Sequence, residues 1–178
     1  MPNHAFNTLR LLNGGLIHKK LKPYLSKDRK DGSTYLDFDK IIPMPPSLDI
    51  TAGSGVDEAI AVLQGKAPAR SFTKKDLKEA RQGIQNLKKY GHKNWYDWRC
   101  DKWGTKWNSY DTDWDGDFAH AESIRFCTAW CPPTPVIEKL AELIGEPLEL
   151  EWWAEGGESE DPATEVFIPQ ADEKGLRV

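Results

Sequence analysis

The chain has 178 residues, 39% of them hydrophobic and 29% charged, with a formal net charge of −4 and a mean hydropathy of −0.64. That length suffices for an ordinary core, and neither the 12 prolines nor the 14 glycines reach a collagen-like or low-complexity composition. No apolar run approaches the ~18 residues of a membrane span, and the polar start Met1–Asn7 lacks a signal-peptide pattern, so the expectation is a soluble cytoplasmic protein.

Ala5 to Leu12 alternates as a strand, with Ala5, Asn7, Leu9 and Leu11 on one face, and breaks at Asn13-Gly14-Gly15. Leu16 to Leu25 has helical spacing interrupted by Pro23. Tyr35 to Asp39 reads as a short second strand. Ile41-Ile-Pro-Met-Pro-Pro46 cannot continue a ladder, because proline lacks the N–H donor, and is expected to be an extended connection. Val56 to Leu63 is a short apolar helix. The next helix carries the strongest signals: Thr73 caps it, Asp76 completes the capping box, Phe72 staples onto Leu77, and Gly91 stops it. Leu77, Ala80, Ile84 and Leu87 form its apolar stripe, and Lys74, Lys75, Lys78, Arg81, Lys88 and Lys89 occupy the other faces.

Asn94 to Asn108 packs four of the chain's eight tryptophans into fifteen residues. Trp95 and Trp98 are i,i+3 neighbours on a helix that Gly104 ends. Trp107, Tyr110 and Trp114 lead into a turn at Asp115-Gly116, after which Ile124, Phe126, Thr128 and Trp130 share one face of a strand, so the pair reads as a hairpin. Pro132-Pro133 stops that strand. Thr134 caps a helix with Pro135 at its first position and an apolar face of Val136, Ile137, Leu140, Leu143 and Ile144. Leu148, Leu150 and Trp152 alternate in a last core strand. Residues 156–178 form an acidic extension with one edge strand at Val166-Phe-Ile168.

The order is strand, helix, strand, a helical insertion at about 47–106, hairpin, helix, strand. That skeleton predicts an α+β protein, a ferredoxin-like two-layer sandwich over residues 1–155, with an antiparallel sheet, helices on one face and a tryptophan-rich helical insertion.

Four segments carry a family resemblance: Pro2-Asn3-His4 with Asn7 and Leu9; Phe38 to Pro45; Asn94-Trp-Tyr-Asp-Trp98 with Trp103-Gly-Thr-Lys-Trp-Asn108; and Thr128-Ala-Trp-Cys-Pro-Pro-Thr-Pro-Val136. Together they resemble the YubB-type family of ferredoxin-like-domain proteins found on bacteriophages and conjugative plasmids, over about residues 2–154. The resemblance implies the same fold and a mobile-element origin in a host bacterium. It implies no activity, cofactor or catalytic residue.

Asp111-Thr-Asp-Trp-Asp-Gly-Asp-Phe-Ala-His-Ala-Glu122 matches the calcium-loop pattern, with Asp111, Asp113, Asp115 and Glu122 as the ligand positions. Such a loop needs flanking helices to wrap a hard ion. Here the flanks alternate as strands, so the segment reads as a hairpin and no metal is assigned. Cys127 and Cys131 with Cys100 and His92 or His120 lack zinc-knuckle spacing and read as free core thiols in a reducing compartment.

Trp95, Trp98, Trp103, Trp107 and Trp130 have two readings, core packing or base stacking beside Lys93, Arg99, Lys102 and Lys106. Charge is polarised: residues 1–65 sum to +1, 66–106 to +8 and 107–178 to −13. The basic helix face is a candidate surface for a partner or nucleic acid; the acidic third is a candidate mimic of nucleic acid. His4, His18, His92 and His120 are scattered, and no nucleophile elbow, phosphate loop or cofactor motif is present. The expectation is a non-catalytic protein without a cofactor. Its partner is a host or defence-system macromolecule, which it engages as an inhibitor. The alternative is a nucleic-acid-binding module using residues 73–90 and neighbouring aromatics.

Overall fold

The computed structural model describes residues 3–157 and 161–170. In chain order the elements are β1 (His4–Leu11), α1 (Ile17–Leu21), β2 (Leu25–Lys27), β3 (Thr34–Leu36), α2 (Phe38–Ile41), α3 (Ser54–Leu63), α4 (Lys74–Tyr90), α5 (Trp95–Lys102), β4 (Tyr110–Trp114), β5 (Ser123–Ala129), α6 (Thr134–Ile144), β6 (Leu148–Ala154) and β7 (Ala163–Phe167). They fall into two compact units, residues 1–42 with 103–178, and residues 43–102.

The first unit is a two-layer α+β sandwich. Its five-stranded sheet runs β4-β5-β1-β6-β7, antiparallel at every junction. Counting β1, β4, β5 and β6 as first to fourth gives the order 2-3-1-4, the split βαβ arrangement of a ferredoxin-like fold. Strand alternation sends Ala5, Asn7 and Leu9 of β1 into the core with Ile124, Phe126, Leu148 and Leu150. Ile17, Leu21, Phe38, Ile137 and Leu140 supply the helical layer, all fully buried. Trp103 is 0% exposed and closes this core: its Nε1–H donates to the Ile42 carbonyl at 2.9 Å, and Phe38 meets it edge-on.

The expected second strand, Tyr35 to Asp39, lies outside the main sheet. Among the described residues β3 pairs only with β2, and the chain then turns helical, because Asp37 Oδ1 accepts the Asp39 N–H at 3.1 Å and caps α2. That turn drives Phe38 and Ile41, three residues apart, into the core together. The skeleton's second strand is instead β4, the first arm of the hairpin. The hairpin's connection is longer than the expected tight turn at Asp115-Gly116, spanning residues 115–122 with a 3₁₀ turn at Phe118–His120.

Val166 and Phe167 lie in β7, on the edge beside β6, as expected; Ile168 follows the strand's end. Within the acidic extension, residues 158–160 and 171–178 lie outside the described residues.

The second unit is helical. α3 and α4 pack through Val56, Ala59, Ile60 and Ala80, with Phe72 and Ile84 against them. The capping box forms as expected, Thr73 Oγ1 accepting the Asp76 N–H at 3.1 Å, and α4 closes at Gly91. Its buried face differs from the expected stripe: Ala80, Gly83 and Asn86 are buried, whereas Leu87 is exposed. A Cβ on Gly83 would come within 2.9 Å of Ile60 Cδ1, so the missing side chain lets α3 approach. Asn86 Nδ2 donates to the carbonyls of Ser47 and Lys93 at 2.7 and 3.1 Å, which turns that polar residue inward. α5 is capped by Asn94, whose Oδ1 accepts the Tyr96 and Asp97 N–H groups.

Candidate functional site: an aromatic strip on the open face of the sheet

The alternation that buries Ala5, Asn7 and Leu9 places His4, Phe6, Thr8 and Arg10 on the sheet's other face, where none is fully buried. Phe6 pairs across the strands with Cys127 and with Trp153, and the Phe6 and Trp153 rings stack at 5.4 Å. Tyr110 sits in the same row, opposite Cys127. His4 contacts both Phe6 and Tyr110, at 6.1 and 5.6 Å between ring centres. Trp107 adds to Tyr110 at 6.3 Å. Lys106 Nζ then lies 4.4 Å over Trp107 and 4.0 Å over Trp130. These contacts join six aromatic rings and one lysine into a continuous strip, whose outer end, Trp107 and Trp130, is 40% and 45% exposed.

Trp130 reaches that position by leaving the strand. Alternation predicts it on the core face with Ile124, Phe126 and Thr128, but β5 ends at Ala129 and Trp130 adopts φ 71°, a left-handed conformation that costs a non-glycine residue about 1–2 kcal/mol. A buried polar network holds it there. Asn7 Nδ2 donates to Thr128 Oγ1 at 3.0 Å, and the Thr128 hydroxyl donates to the Cys131 carbonyl at 2.8 Å. Thr105 Oγ1 donates to the Ala129 carbonyl and accepts the Ala129 N–H, tying the Trp107 loop to the Trp130 loop. Asn7, Thr105 and Thr128 are all buried. Gly104, at φ 75°, fits where a Cβ would meet Pro135 Cδ at 3.0 Å and the Pro132 carbonyl at 3.1 Å. The Trp-Gly-Thr-Lys-Trp and Trp-Cys-Pro-Pro blocks are therefore two halves of one structure that presents Trp107 and Trp130.

Tyr110 anchors the middle of the strip. Its hydroxyl donates to the Thr128 carbonyl at 3.1 Å and lies 2.8 Å from His4 Nδ1. Burial first, and then the neighbouring Cys127, Asp111 and Glu155, push the phenol up to about 12, so it stays a neutral donor. Beside it β4 bulges: Tyr110 faces Cys127 and Asp113 faces Arg125, with Asp111 at φ 48° between them. A cleft of about 320 Å³ opens there, with Asp28, Asp31, Asp111 and Tyr35 among its walls. Hydrogen bonds from Ser33 hold the Asp31 carboxyl below its ordinary range.

The far end of the open face is ionic, Arg10 pairing with Glu149 and Glu151, and Arg125 with Asp113. This unit carries 13 Lys and Arg against 21 Asp and Glu, a formal charge of −8.

The structure divides the predicted tryptophans. Trp103 is core and Trp98 is 6% exposed, so neither offers a face to a base. Trp95 is half-buried, with Arg99 over its ring. Trp107 and Trp130 stand out on the strip. Phe6, Tyr110 and Trp153 joined no predicted site, although the period-two pattern that buries Ala5 and Leu9 already turned Phe6 outward.

In the second unit all six predicted cations of α4 are exposed. At 100° per residue, Lys74, Lys75, Lys78, Arg81, Lys88 and Lys89 fall within an arc of about 140° opposite the buried Gly83. Among the described residues no carboxylate pairs with Lys74, Lys78, Arg81 or Lys88, while Lys75 lies 3.8 Å from Glu79 and Lys89 over Tyr90.

The calcium-like segment is a β hairpin with its loop. Asp111 lies at the bulge, Asp113 is paired with Arg125, and Asp115 and Glu122 are exposed in the loop. Among the described residues no group of three or more His, Cys, Asp or Glu side chains is arranged to hold a metal ion. Of the three cysteines only Cys127 is buried, with its pKa raised by that burial, but it lies in the Phe6 and Tyr110 row of the open face and not in the helix-covered core; Cys100 and Cys131 are exposed, Cys131 beyond the end of β5. No helix among the described residues is long and apolar enough to cross a membrane. The chain matches no family model, no curated protein and no solved structure.

Proposed function

We propose that this chain is a non-catalytic binding protein that engages a host or defence-system macromolecule through the aromatic strip, in the bacterial cytoplasm and with a phage or plasmid origin. One observation carries the reading: a buried hydrogen-bond network and a left-handed backbone are spent on holding two tryptophans in solvent. Exposed aromatic side chains on a rigid support are what binding hot spots use, because their area is desolvated on contact at little entropic cost. The origin rests on the YubB-type resemblance, whose Trp-Gly-Thr-Lys-Trp and Trp-Cys-Pro-Pro blocks are the segments that interlock. Inhibition of the partner is the expected consequence of covering its surface.

Affinity capture from host lysate, with and without nuclease, compares the wild type with Trp130→Ala. A stoichiometric protein partner that survives nuclease and is lost with Trp130→Ala is the expected result. Capture of the same partner by both proteins would remove the strip from the reading.

A second reading, nucleic-acid binding by α4, rests on the unpaired Lys74, Lys78, Arg81 and Lys88. It requires an affinity that falls linearly in log salt, with a slope that shrinks as these lysines are replaced. Salt-independent binding eliminates it.

A further inference from the structure

We infer that the strip's exposed end takes a basic polypeptide segment, with an arginine or lysine side chain seated between Trp107 and Trp130 and a second cation in the neighbouring acidic cleft. The inference rests on the reading of the strip as a docking surface and adds the chemistry of what docks. Three observations carry it.

A cation already occupies the clamp. Lys106 Nζ lies 4.0 Å over Trp130 and 4.4 Å over Trp107, a spacing at which ring quadrupoles attract a positive charge. Lys106 thus shows what chemistry the clamp accepts, and as an internal occupant it competes with any external cation. The next ring along, Tyr110, is shared with the cleft, whose carboxylates Asp28, Asp31 and Asp111 form no ion pair among the described residues. An extended segment crossing Tyr110 would therefore meet an aromatic clamp and then carboxylates. Finally, the open face offers little to a phosphate: Arg10 and Arg125 are consumed by their own carboxylates, and the unit's formal charge is −8. That field repels a polyanion and attracts a polycation.

The test is calorimetric titration of the full chain with a decapeptide of alternating Arg and Gly, and separately with a 20-nucleotide oligothymidylate, in low salt. The peptide binds the wild type, and Trp130→Ala weakens it about tenfold. Asp111→Asn weakens it about threefold, whereas Glu142→Gln, an equal charge change on α6, has less effect. Lys106→Gln tightens peptide binding about two- to fivefold, because it empties the clamp. The nucleic-acid occupant makes the opposite prediction, since losing Lys106 would weaken a phosphate contact.

Peptide binding indifferent to Trp130→Ala overturns the inference, as does weaker peptide binding by Lys106→Gln. Oligothymidylate binding in place of the peptide overturns it in favour of a nucleic-acid strand. If the peptide does not bind while cellular capture still depends on Trp130, the cationic occupant falls and the docking surface stands. Capture that ignores Trp130 removes the docking surface itself.

Discussion

The two faces of one sheet use aromatic residues in opposite ways. On the helix face, Phe126 and Phe38 meet edge-on beneath a fully buried Trp103, and each ring is enclosed. On the open face, Phe6, Tyr110 and Trp153 are half-buried, and Trp107 and Trp130 are 40% and 45% exposed. Trp103 and Trp107 are only four residues apart. The first stabilises the fold by removing large apolar area from water, a side chain of ~150–250 Å². The second gives up part of that gain, and its loop is nevertheless fixed by buried bonds. The contrast separates aromatics that make the domain stable from aromatics that the domain is built to display.

Trp103→Ala gives the largest expected effect. It removes the closing side chain of the core and orphans the Ile42 carbonyl, at a cost of about 3–5 kcal/mol by analogy with other buried Trp truncations. Equilibrium unfolding in urea measures it, and a loss below about 1 kcal/mol would break the distinction between the faces. Next comes Asn7→Leu. Its Nδ2 donates to the Ala5 and Phe126 carbonyls and to Thr128 Oγ1, while its buried Oδ1 has no partner among the described residues; the variant loses those bonds but also removes that orphaned oxygen, and is expected to cost about 1–2 kcal/mol. This variant bridges the two faces: the network is on the core side, but its loss should also loosen Trp130 and weaken partner capture.

Much of this fold is legible in the sequence. Alternation finds β1, β5 and β6, and the Thr73 and Asp76 box finds α4, because both signals are local. What misleads is where a local signal meets a nonlocal one. Tyr35 to Asp39 alternates well enough for a strand, yet the Asp37 cap and the core's demand for Phe38 and Ile41 together make a helical turn. On α4 the apolar residues suggest one stripe, but Gly83 decides the contact by what it lacks, and a helix-interior glycine is a signal that could have found it. The exposed clamp is least legible. A tryptophan with positive φ has no sequence signature, and Trp130 continues the period of β5 until bonds from residues more than twenty positions away turn it outward.

Tyr110 offers a pH-dependent test of smaller size. Its phenol is raised from the ordinary 10 to about 12, so the folded state keeps a proton that the unfolded chain releases. The associated stability is fully present below pH 10 and is lost as pH rises towards 12. Because the ring is half-buried, the loss should not exceed about 2 kcal/mol. Tyr110→Phe should flatten that part of the stability profile relative to the wild type and remove one late-titrating tyrosine from the ultraviolet titration. Loss of a tyrosine that titrates at the ordinary 10 instead would mean that the phenol is not buried as described, and that the middle of the strip is looser than its ends.

Trp130→Gly tests the contrast most directly. Glycine adopts φ 71° without steric cost, so the change relieves about 1–2 kcal/mol of backbone strain. Against this stand the entropy that glycine adds to the unfolded chain, about 1 kcal/mol, the lost contact with Lys106, about 0.5–1 kcal/mol, and the burial of the part of the side chain that lies out of water, about 2–3 kcal/mol. The strain relief offsets only part of that loss, so the variant should cost clearly less than Trp103→Ala, while partner capture is lost. A Trp103-sized loss of stability would instead make Trp130 a packing residue, and the two faces would then differ in degree of burial and not in purpose. A fold that survives with capture lost is the combination that a merely structural tryptophan cannot produce, because removing a packing residue impairs binding only by first impairing the fold.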